Sequence, residues 1–366
     1  MAIKSIDILN VMVFQRQSRK NNGRCKLGEI KKNDKLSGGF HLDFCDGINV
    51  LIGENGVGKT TILKMIYAAT QWSNEKTIQG KNKKLTDFFS NSLKDSDKLK
   101  NEDRKEDYCY YKVSYDNHVF EDRLSHNENS NFDDWLGLNI QSVFIPSTEM
   151  LSHSKGFLAM NQKYSMPFDS TQIDIIVNAS LPETREISEL CKSVLEEISN
   201  AIDGIVIYEN DEFYVIKRDG RKIDFSLEAE GFRKLGLLWK LVRNGLLEKG
   251  TILLWDEPEA NLNPELYSLL ANILLELQKN GVQIFIATHS YNFAKYLEIR
   301  RFEKEQVMFH NLYKGDSEVS DIINVDFSDR NNKDEVYSVS DYKMENLGHN
   351  HIMIADNRLL DEVYNM

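Results

Sequence analysis

The sequence has no apolar run approaching the roughly 18 residues that a membrane-crossing helix needs, so no span of its own is expected. Its first residues, Met1-Ala2-Ile3-Lys4-Ser5-Ile6-Asp7, lack the apolar centre of a secretory leader. Cysteine is scarce: Cys25, Cys45, Cys109 and Cys191 lie scattered with no Cys-x-x-Cys pair, which disfavours a disulfide framework or zinc site and fits reduced thiols. Positive charge is in deficit, with 45 Lys and Arg against 57 Asp and Glu and a formal net charge of −12. That balance argues against a whole-surface grip on nucleic acid or anionic lipid, although a local basic groove stays open. No repeat of solenoid length is visible. These absences leave a cytoplasmic globular chain of 366 residues, 41% hydrophobic, sized for one large α/β domain or a domain with an inserted lobe.

Residues 5–14 alternate apolar and polar over part of their length and predict a strand. Two more are predicted at 40–44 and 48–52, the second running into a glycine-rich loop followed by a helix over 61–70. From 71 to 107 the chain turns polar and mixed in charge, as an exposed insertion would. Strands are expected at 108–115 and 141–146. Ile187, Leu190, Cys191, Val194, Leu195, Ile198 and Ile202 recur at helical spacing over 184–202. A hairpin over 204–216, closing through Arg218-Asp219-Gly220, leads to a helix over 232–246 striped by Phe232, Leu235, Trp239, Val242 and Leu246. Strand 251–255, helix 264–280 and strand 282–287 then give the βαβ rhythm of a parallel sheet.

The segment Gly53-Glu54-Asn55-Gly56-Val57-Gly58-Lys59-Thr60 matches GxxxxGK[ST] in full, with a strand before it and a helix after. Glycines at 53, 56 and 58 let the backbone curl so that successive N–H groups, those of Asn55 and Val57 among them, face phosphate oxygens. The helix that follows adds its positive N-terminal end. Lys59 supplies a point charge for the β- and γ-phosphates, the Thr60 hydroxyl is placed for Mg²⁺, and Thr61 for the α-phosphate. ATP and Mg²⁺ are the cofactors this implies. A second half-site lies in Thr251-Ile252-Leu253-Leu254-Trp255-Asp256-Glu257-Pro258, an apolar strand ending in two carboxylates. At a ligand crevice of a parallel sheet, Asp256 would hold Mg²⁺ and Glu257 would poise the attacking water as general base.

Asp256-Glu257-Pro258-Glu259-Ala260-Asn261-Leu262-Asn263-Pro264 resembles the joined Walker B motif and D-loop of ABC-type ATPases. Ile284-Phe285-Ile286-Ala287-Thr288-His289-Ser290 resembles their switch-histidine loop, which assigns His289 to the γ-phosphate. The signature departs from the transporter pattern: in place of Leu-Ser-Gly-Gly-Gln stands Phe225-Ser226-Leu227-Glu228-Ala229-Glu230-Gly231-Phe232-Arg233-Lys234. Ala-Glu-Gly-x-Arg-Lys is similar instead to the non-transporter OLD-like and AAA15/AAA21-type ATPases, many of them in bacterial defence. The resemblance makes Gly231, Arg233 and either Ser226 or Lys234 candidates for contacts to a nucleotide held by a second protomer, with Asn263 of the D-loop beside them. Ile145-Pro146-Ser147-Thr148-Glu149-Met150 occupies the place of the Q-loop, offering Ser147 or Glu149 as the sensing group, with Gln141 as an alternative by residue type. Phe14 and Arg16 are open choices for stacking on adenine.

The expected fold is thus α/β: a P-loop NTPase of ABC ATPase type, with mixed and parallel sheet flanked by helices and an inserted, mainly helical lobe. Its core is expected in 1–70 and 220–313, the lobe in 71–219 with a charged insertion over 71–135 and the Q-loop-like segment at 141–150, and a polar tail in 314–366 ending in an amphipathic helix over 352–364. About 200 residues separate Lys59 from Asp256, without heptads or a Cys-x-x-Cys hook, which excludes a long coiled-coil repair ATPase. Roughly 66 residues follow Arg300, too few for a Toprim nuclease domain, and Asp326, Asp329, Asp334 and Glu335 fall in a polar tract. His349-Asn350-His351 lacks the further ligands that a metal needs. The resemblance implies an ATPase switch that closes as an ATP-sandwiched homodimer, in the manner of the ATPase components of Septu- or PARIS-type systems, and controls a separately encoded nuclease or toxin. The alternative is a DNA-handling ATPase that clamps nucleic acid itself; a transporter subunit, docked on membrane partners, is the third.

Overall fold

The computed structural model describes residues 1–14, 39–74, 83–90, 93, 95–101, 109–124, 134–164, 166–315, 336–348 and 350–365. The first elements are β1 (Ile3–Leu9), β2 (Phe40–Asp43), β3 (Ile48–Gly53), α1 (Lys59–Trp72), β4 (Tyr110–Tyr115), β5 (His118–Arg123) and β6 (Ser142–Ile145). Next come α2 (Phe157–Tyr164), α3 (Ser170–Ser180), α4 (Glu189–Ala201), β7 (Gly204–Glu209), β8 (Glu212–Lys217), β9 (Lys222–Asp224) and α5 (Glu230–Arg243). The last are β10 (Ile252–Asp256), α6 (Tyr267–Lys279), β11 (Gln283–Ala287), α7 (Tyr291–Arg300), β12 (Val307–Lys314), β13 (Val336–Asp341) and α8 (His351–Tyr364).

The central sheet has the order β13-β12-β3-β11-β10-β6, parallel throughout except for β13. Every residue of β3, β10 and β11 is buried, which is why these strands are apolar runs and not alternating ones. Successive side chains still take opposite faces. Ile48, Val50, Ile52, Leu253 and Trp255 join the core beneath helices α3 to α7, whereas Leu51, Ile252, Leu254 and Phe285 meet α1 and a second, antiparallel sheet β2-β1-β4-β5. A small sheet, β7-β8-β9, packs Val206, Phe213 and Val215 into the first core. Gln283 stitches the layers: its amide donates to the carbonyls of Ile3 and Cys45 and accepts the Ile3 N–H at 2.8 Å.

Strand pairing runs across the expected boundaries at 70 and 219. The stretch 71–219 carries β4 to β8 as well as helices; β4 pairs along β1, and β6 pairs along β10, so both sheets run across that boundary. The charged insertion over 71–135 likewise holds a hairpin, β4–β5, whose first strand is mostly buried, and sets Leu85, Phe88, Leu99 and Trp135 in the second core. A few large apolar side chains suffice to anchor a segment whose average composition is polar. The first small hairpin closes at Asn210 and Asp211, not at Arg218-Asp219-Gly220, which instead turns the chain from β8 into β9. Asn210 and Asp211 have φ of 54° and 63°, the left-handed pair a tight two-residue turn requires. In the expected polar tail, β13 adds an antiparallel strand to the central sheet, and α8 begins one residue before the predicted helix. Arg16, the acids at 326, 329, 334 and 335, and His349 lie outside the described residues. No helix among the described residues is long and apolar enough to cross a membrane.

Candidate functional site

The phosphate loop joins β3 to α1, and two of its glycines are dictated by neighbours. Gly53 has φ +137°, and a Cβ there would lie 2.1 Å from the Leu312 carbonyl oxygen of β12. Gly58 has φ +92°, and a Cβ there would lie 2.5 Å from the Phe14 ring. A side chain at either position would push the loop away from these neighbours. Val57 is fully buried and pins the loop from below, whereas Glu54, Asn55 and Gly56 are exposed. Phe14 is only 1% exposed and lies against Phe40 at 4.6 Å between centroids, so its ring has no free face for adenine.

Lys59 folds back over the loop, its Nζ donating to the carbonyls of Gly53 and Glu54 at 2.8 Å each, with His289 Nδ1 3.5 Å away. Burial lowers its pKa to about 8, against the pull of Asp256 and Glu257. Thr60 Oγ1 donates to both oxygens of Asp256, at 3.0 and 3.1 Å, bringing together residues 196 apart in sequence. Thr61 points its hydroxyl at the Met12 sulfur, 3.8 Å away. Asp256, at the end of β10, is 7% exposed, and burial raises its pKa to about 6 in spite of the Thr60 hydrogen bond.

Glu257 has φ +48°, a left-handed conformation that a non-glycine residue keeps only where its surroundings impose it. The constraint is visible on both sides: its N–H donates to the Ala287 carbonyl at 2.8 Å, and its carbonyl accepts Lys234 Nζ at 2.9 Å. The bend turns the Glu257 carboxylate toward His289, with Oε1 3.7 Å from Nε2. Burial, and then the charge of Lys59, lower the His289 pKa, so the ring is neutral at pH 7. Lys59, Thr60, Asp256, Glu257 and His289 thus converge at the carboxyl ends of β3, β10 and β11, neighbours in one parallel sheet, where α/β folds place ligands.

Of the candidates for contacts in trans, Lys234 bonds the Glu257 carbonyl and Arg233 shares a cleft with Glu257, while Ser226 and Asn263 bond elsewhere. Ser226 donates its hydroxyl to Asp224 at 2.6 Å, and Asn263 caps the turn Pro264–Leu266 by accepting the Glu265 N–H at 3.2 Å. Gly231 is buried, with the Asn261 carbonyl 3.1 Å from where its Cβ would be. Arg233 Nη1 lies 3.2 Å from Glu149 Oε2, joining α5 to the Q-loop-like segment beside a cleft of about 370 Å³ that Ser147 and Glu257 also line. Gln141 precedes β6, whose pairing with Ile252 puts it at the opposite end of the sheet from Glu257. Lys234, a candidate for a contact in trans, grips the Glu257 backbone of its own chain, and one residue was not legible at all: Glu259, a buried carboxylate bonded to Thr288 and the His289 N–H. An acid in a strand-ending loop normally signals nothing but solvent, so Glu259 did not announce itself.

Asp256→Asn keeps the shape of the side chain and an acceptor for Thr60 but removes the charge. Because the folded pKa is raised above the unfolded one, the native state binds more protons between about 3.8 and 6, and stability falls as pH rises through that window. Above it, keeping the carboxylate ionised costs on the order of 2–3 kcal/mol. Denaturant melts of the ligand-free chain are expected to find the Asn variant more stable at pH 7 by about that amount, with the gap closing toward pH 4. A variant less stable at pH 7 would show that the charge is compensated.

Comparison with known proteins agrees with this geometry. The family model described as "AAA domain, putative AbiEii toxin, Type IV TA system" matches residues 48–294, about two thirds of the chain. The L-cystine import ATP-binding protein TcyN of Bacillus subtilis (strain 168) is 30% identical over 142 residues, covering 33% of this chain and 55% of that protein. The arginine transport ATP-binding protein ArtP of Haemophilus influenzae is 35% identical over 65 residues, 18% of this chain and 27% of that one. The chain therefore spans about half the length of the first curated relative and about a quarter of the second. Among solved structures, an SMC head bound to the C-terminal winged-helix domain of ScpA superposes with a TM-score of 0.53 at 12% identity, covering 94% of this chain and 99% of that one. With the family model spanning both carboxylates, the phosphate loop and His289, the chain belongs to the AAA_21 family of AbiEii-like P-loop ATPases and has the ABC-type ATPase fold.

Proposed function

We propose that the chain is a Mg-ATP-dependent ATPase switch, closing as a nucleotide-sandwiched homodimer and controlling a separately encoded effector, a nuclease or toxin, in bacterial anti-phage defence. The observation that carries the catalytic part is the convergence of Lys59, Thr60, Asp256, Glu257 and His289 at one end of the parallel sheet. The Thr60 hydroxyl and Asp256 carboxylate, 3.0 Å apart, present only oxygen donors, which suits a hard divalent cation. Those two residues would hold Mg²⁺, which supplies charge neutralisation for the phosphates.

The chain's own residues do the rest. Lys59 exchanges its two carbonyl partners for phosphate oxygens, which the curled backbone N–H groups also bind. Glu257, turned toward the site by its left-handed backbone, accepts a proton from the attacking water. His289, neutral at pH 7, keeps one ring N–H to donate to a phosphate oxygen. Ser226, Gly231, Arg233 and Asn263 would meet the nucleotide of the partner protomer. The hydrogen bonds of Ser226 and Asn263, which lie outside the cis cluster, support that division of labour. The defence reading draws its support from the family's description, which names a toxin and a Type IV TA system.

Affinity purification of the Glu257→Gln chain with and without ATP, followed by mass spectrometry and light scattering, tests the whole reading. An ATP-dependent dimer carrying a stoichiometric soluble companion is the expected result. A chain that stays monomeric in ATP would sink the sandwich. A dimer without companion that binds DNA, with the binding collapsing in salt, would replace effector control with direct nucleic-acid handling.

A further inference from the structure

We propose that Glu259 is a positioning residue that holds the His289 loop in register with the end of β10; only the kinetic part of this inference rests on the proposed hydrolysis. Glu259 sits three residues past Asp256 in a loop, yet is 7% exposed. A carboxylate at that depth persists only where its oxygens are used. Its Oε1 accepts the Thr288 hydroxyl at 2.5 Å and the His289 N–H at 3.2 Å. Thr288, fully buried, carries the connection in two directions. Its N–H donates to the Leu51 carbonyl of β3 at 3.0 Å, and its Oγ1 accepts the Ser290 N–H at 3.0 Å, where Ser290 in turn caps α7.

One carboxylate therefore ties the loop after β10 to the loop after β11, next to the two contacts that define the site. His289 Nε2 lies 3.7 Å from Glu257 and Nδ1 lies 3.5 Å from Lys59. Neither contact survives a displacement of the loop by an ångström. The second oxygen, Oε2, is buried without a hydrogen-bond partner, and Glu259 is the strongest of the carboxylates acting on the Lys234 ammonium. Lys234 separately holds the Glu257 carbonyl. Hydrogen-bond geometry at Oε1, and not charge, is the part assigned to positioning: the two groups it serves are both donors, and a glutamine oxygen can accept from both.

The test uses the full chain with Mg-ATP, measuring turnover alongside the histidine imidazole resonances, with the His289 signal identified by its loss in His289→Gln. Glu259→Ala is expected to lower kcat about 10- to 100-fold, as misplacement of a reacting group does. It should leave the affinity for a fluorescent ATP analogue within about 2-fold, since the phosphate loop is untouched, and should shift or broaden the His289 resonance. Glu259→Gln should keep the resonance in place and kcat within about 5-fold. Thr288→Val, which removes the donor, should fall with Glu259→Ala, and Thr288→Ser should not. That pair carries the comparison if Glu259→Ala does not fold. An unmoved His289 signal and unchanged kcat in Glu259→Ala or Thr288→Val, or a Glu259→Gln variant as impaired as Glu259→Ala, would overturn the assignment. If the natural chain itself turns over no ATP, the hydrolysis reading falls, and the imidazole signals alone decide the role of Glu259.

Discussion

Glu257→Gln is expected to bind ATP as tightly as the natural chain, to hydrolyse it at least about 100-fold more slowly, and to accumulate as a dimer, because it loses a proton acceptor and little else. The substitution leaves the backbone alone, and here the backbone matters. The φ of +48° is imposed by the Ala287 carbonyl and by Lys234, so the glutamine side chain should occupy the place of the carboxylate. His289 Nε2 would then face an amide in place of an anion at 3.7 Å, a change too small to disturb the phosphate loop. Single-turnover hydrolysis and light scattering in ATP read the two halves of the prediction separately. Normal turnover would remove Glu257 from the role of base; slow turnover without a dimer would leave the base in place and remove the sandwich.

The second large effect is at Lys59. Lys59→Met is expected to weaken nucleotide binding by two orders of magnitude or more, roughly the worth of a lost charge-assisted contact to phosphate. The ligand-free chain should suffer no comparable loss of stability. Lys59 is 5% exposed, its ammonium is held by two loop carbonyls with His289 Nδ1 3.5 Å away, and burial has pulled its pKa down to about 8. With the folded pKa below the unfolded one, a charged Lys59 opposes folding throughout the range below about 8, and that cost fades as pH rises from 8 toward 10.5. Its size is on the order of 3 kcal/mol, so methionine should match or exceed the natural residue in apo stability at pH 7 and lose that advantage near pH 10. Calorimetric titration with ATP and thermal melts across that range check both parts. Retained tight binding would overturn the phosphate-loop assignment.

Taken with Asp256→Asn, this describes a site kept at the expense of stability. A buried ammonium, a buried carboxylate and a left-handed glutamate occur within one small volume, and the first two would be relieved by the ligand chemistry proposed for them. Lys59 has carbonyls where phosphate oxygens would serve better, and the Asp256 charge has a hydroxyl where a cation would. Such strain is what a ligand-gated switch requires: the open form must be poorer than the closed one by an amount that binding can reverse.

Local chemistry decided what the sequence alone determined here. The phosphate loop is legible because consecutive backbone groups do the binding, so the whole requirement falls within eight residues. The end of β10 is legible because an apolar strand buried on both faces has to stop where its carboxylates begin. Even the convergence of Thr60 and Asp256 follows, once two parallel strands are recognised as sharing a sheet edge. Tertiary structure alone decided the rest. Leu85, Phe88, Leu99 and Trp135 sit in the core although their neighbours are polar, because burial is settled by what the packed layers can cover and not by average composition. The closing turn fell at Asn210-Asp211 and not at a nearby glycine, because strand register selected which pair had to turn left-handed. Glu259 and Gln283 are ordinary polar residues in sequence, and Lys234 stood out there only for a contact in trans; each acquired the part seen here from a partner 23 to 280 residues away that only the fold brings within hydrogen-bonding distance.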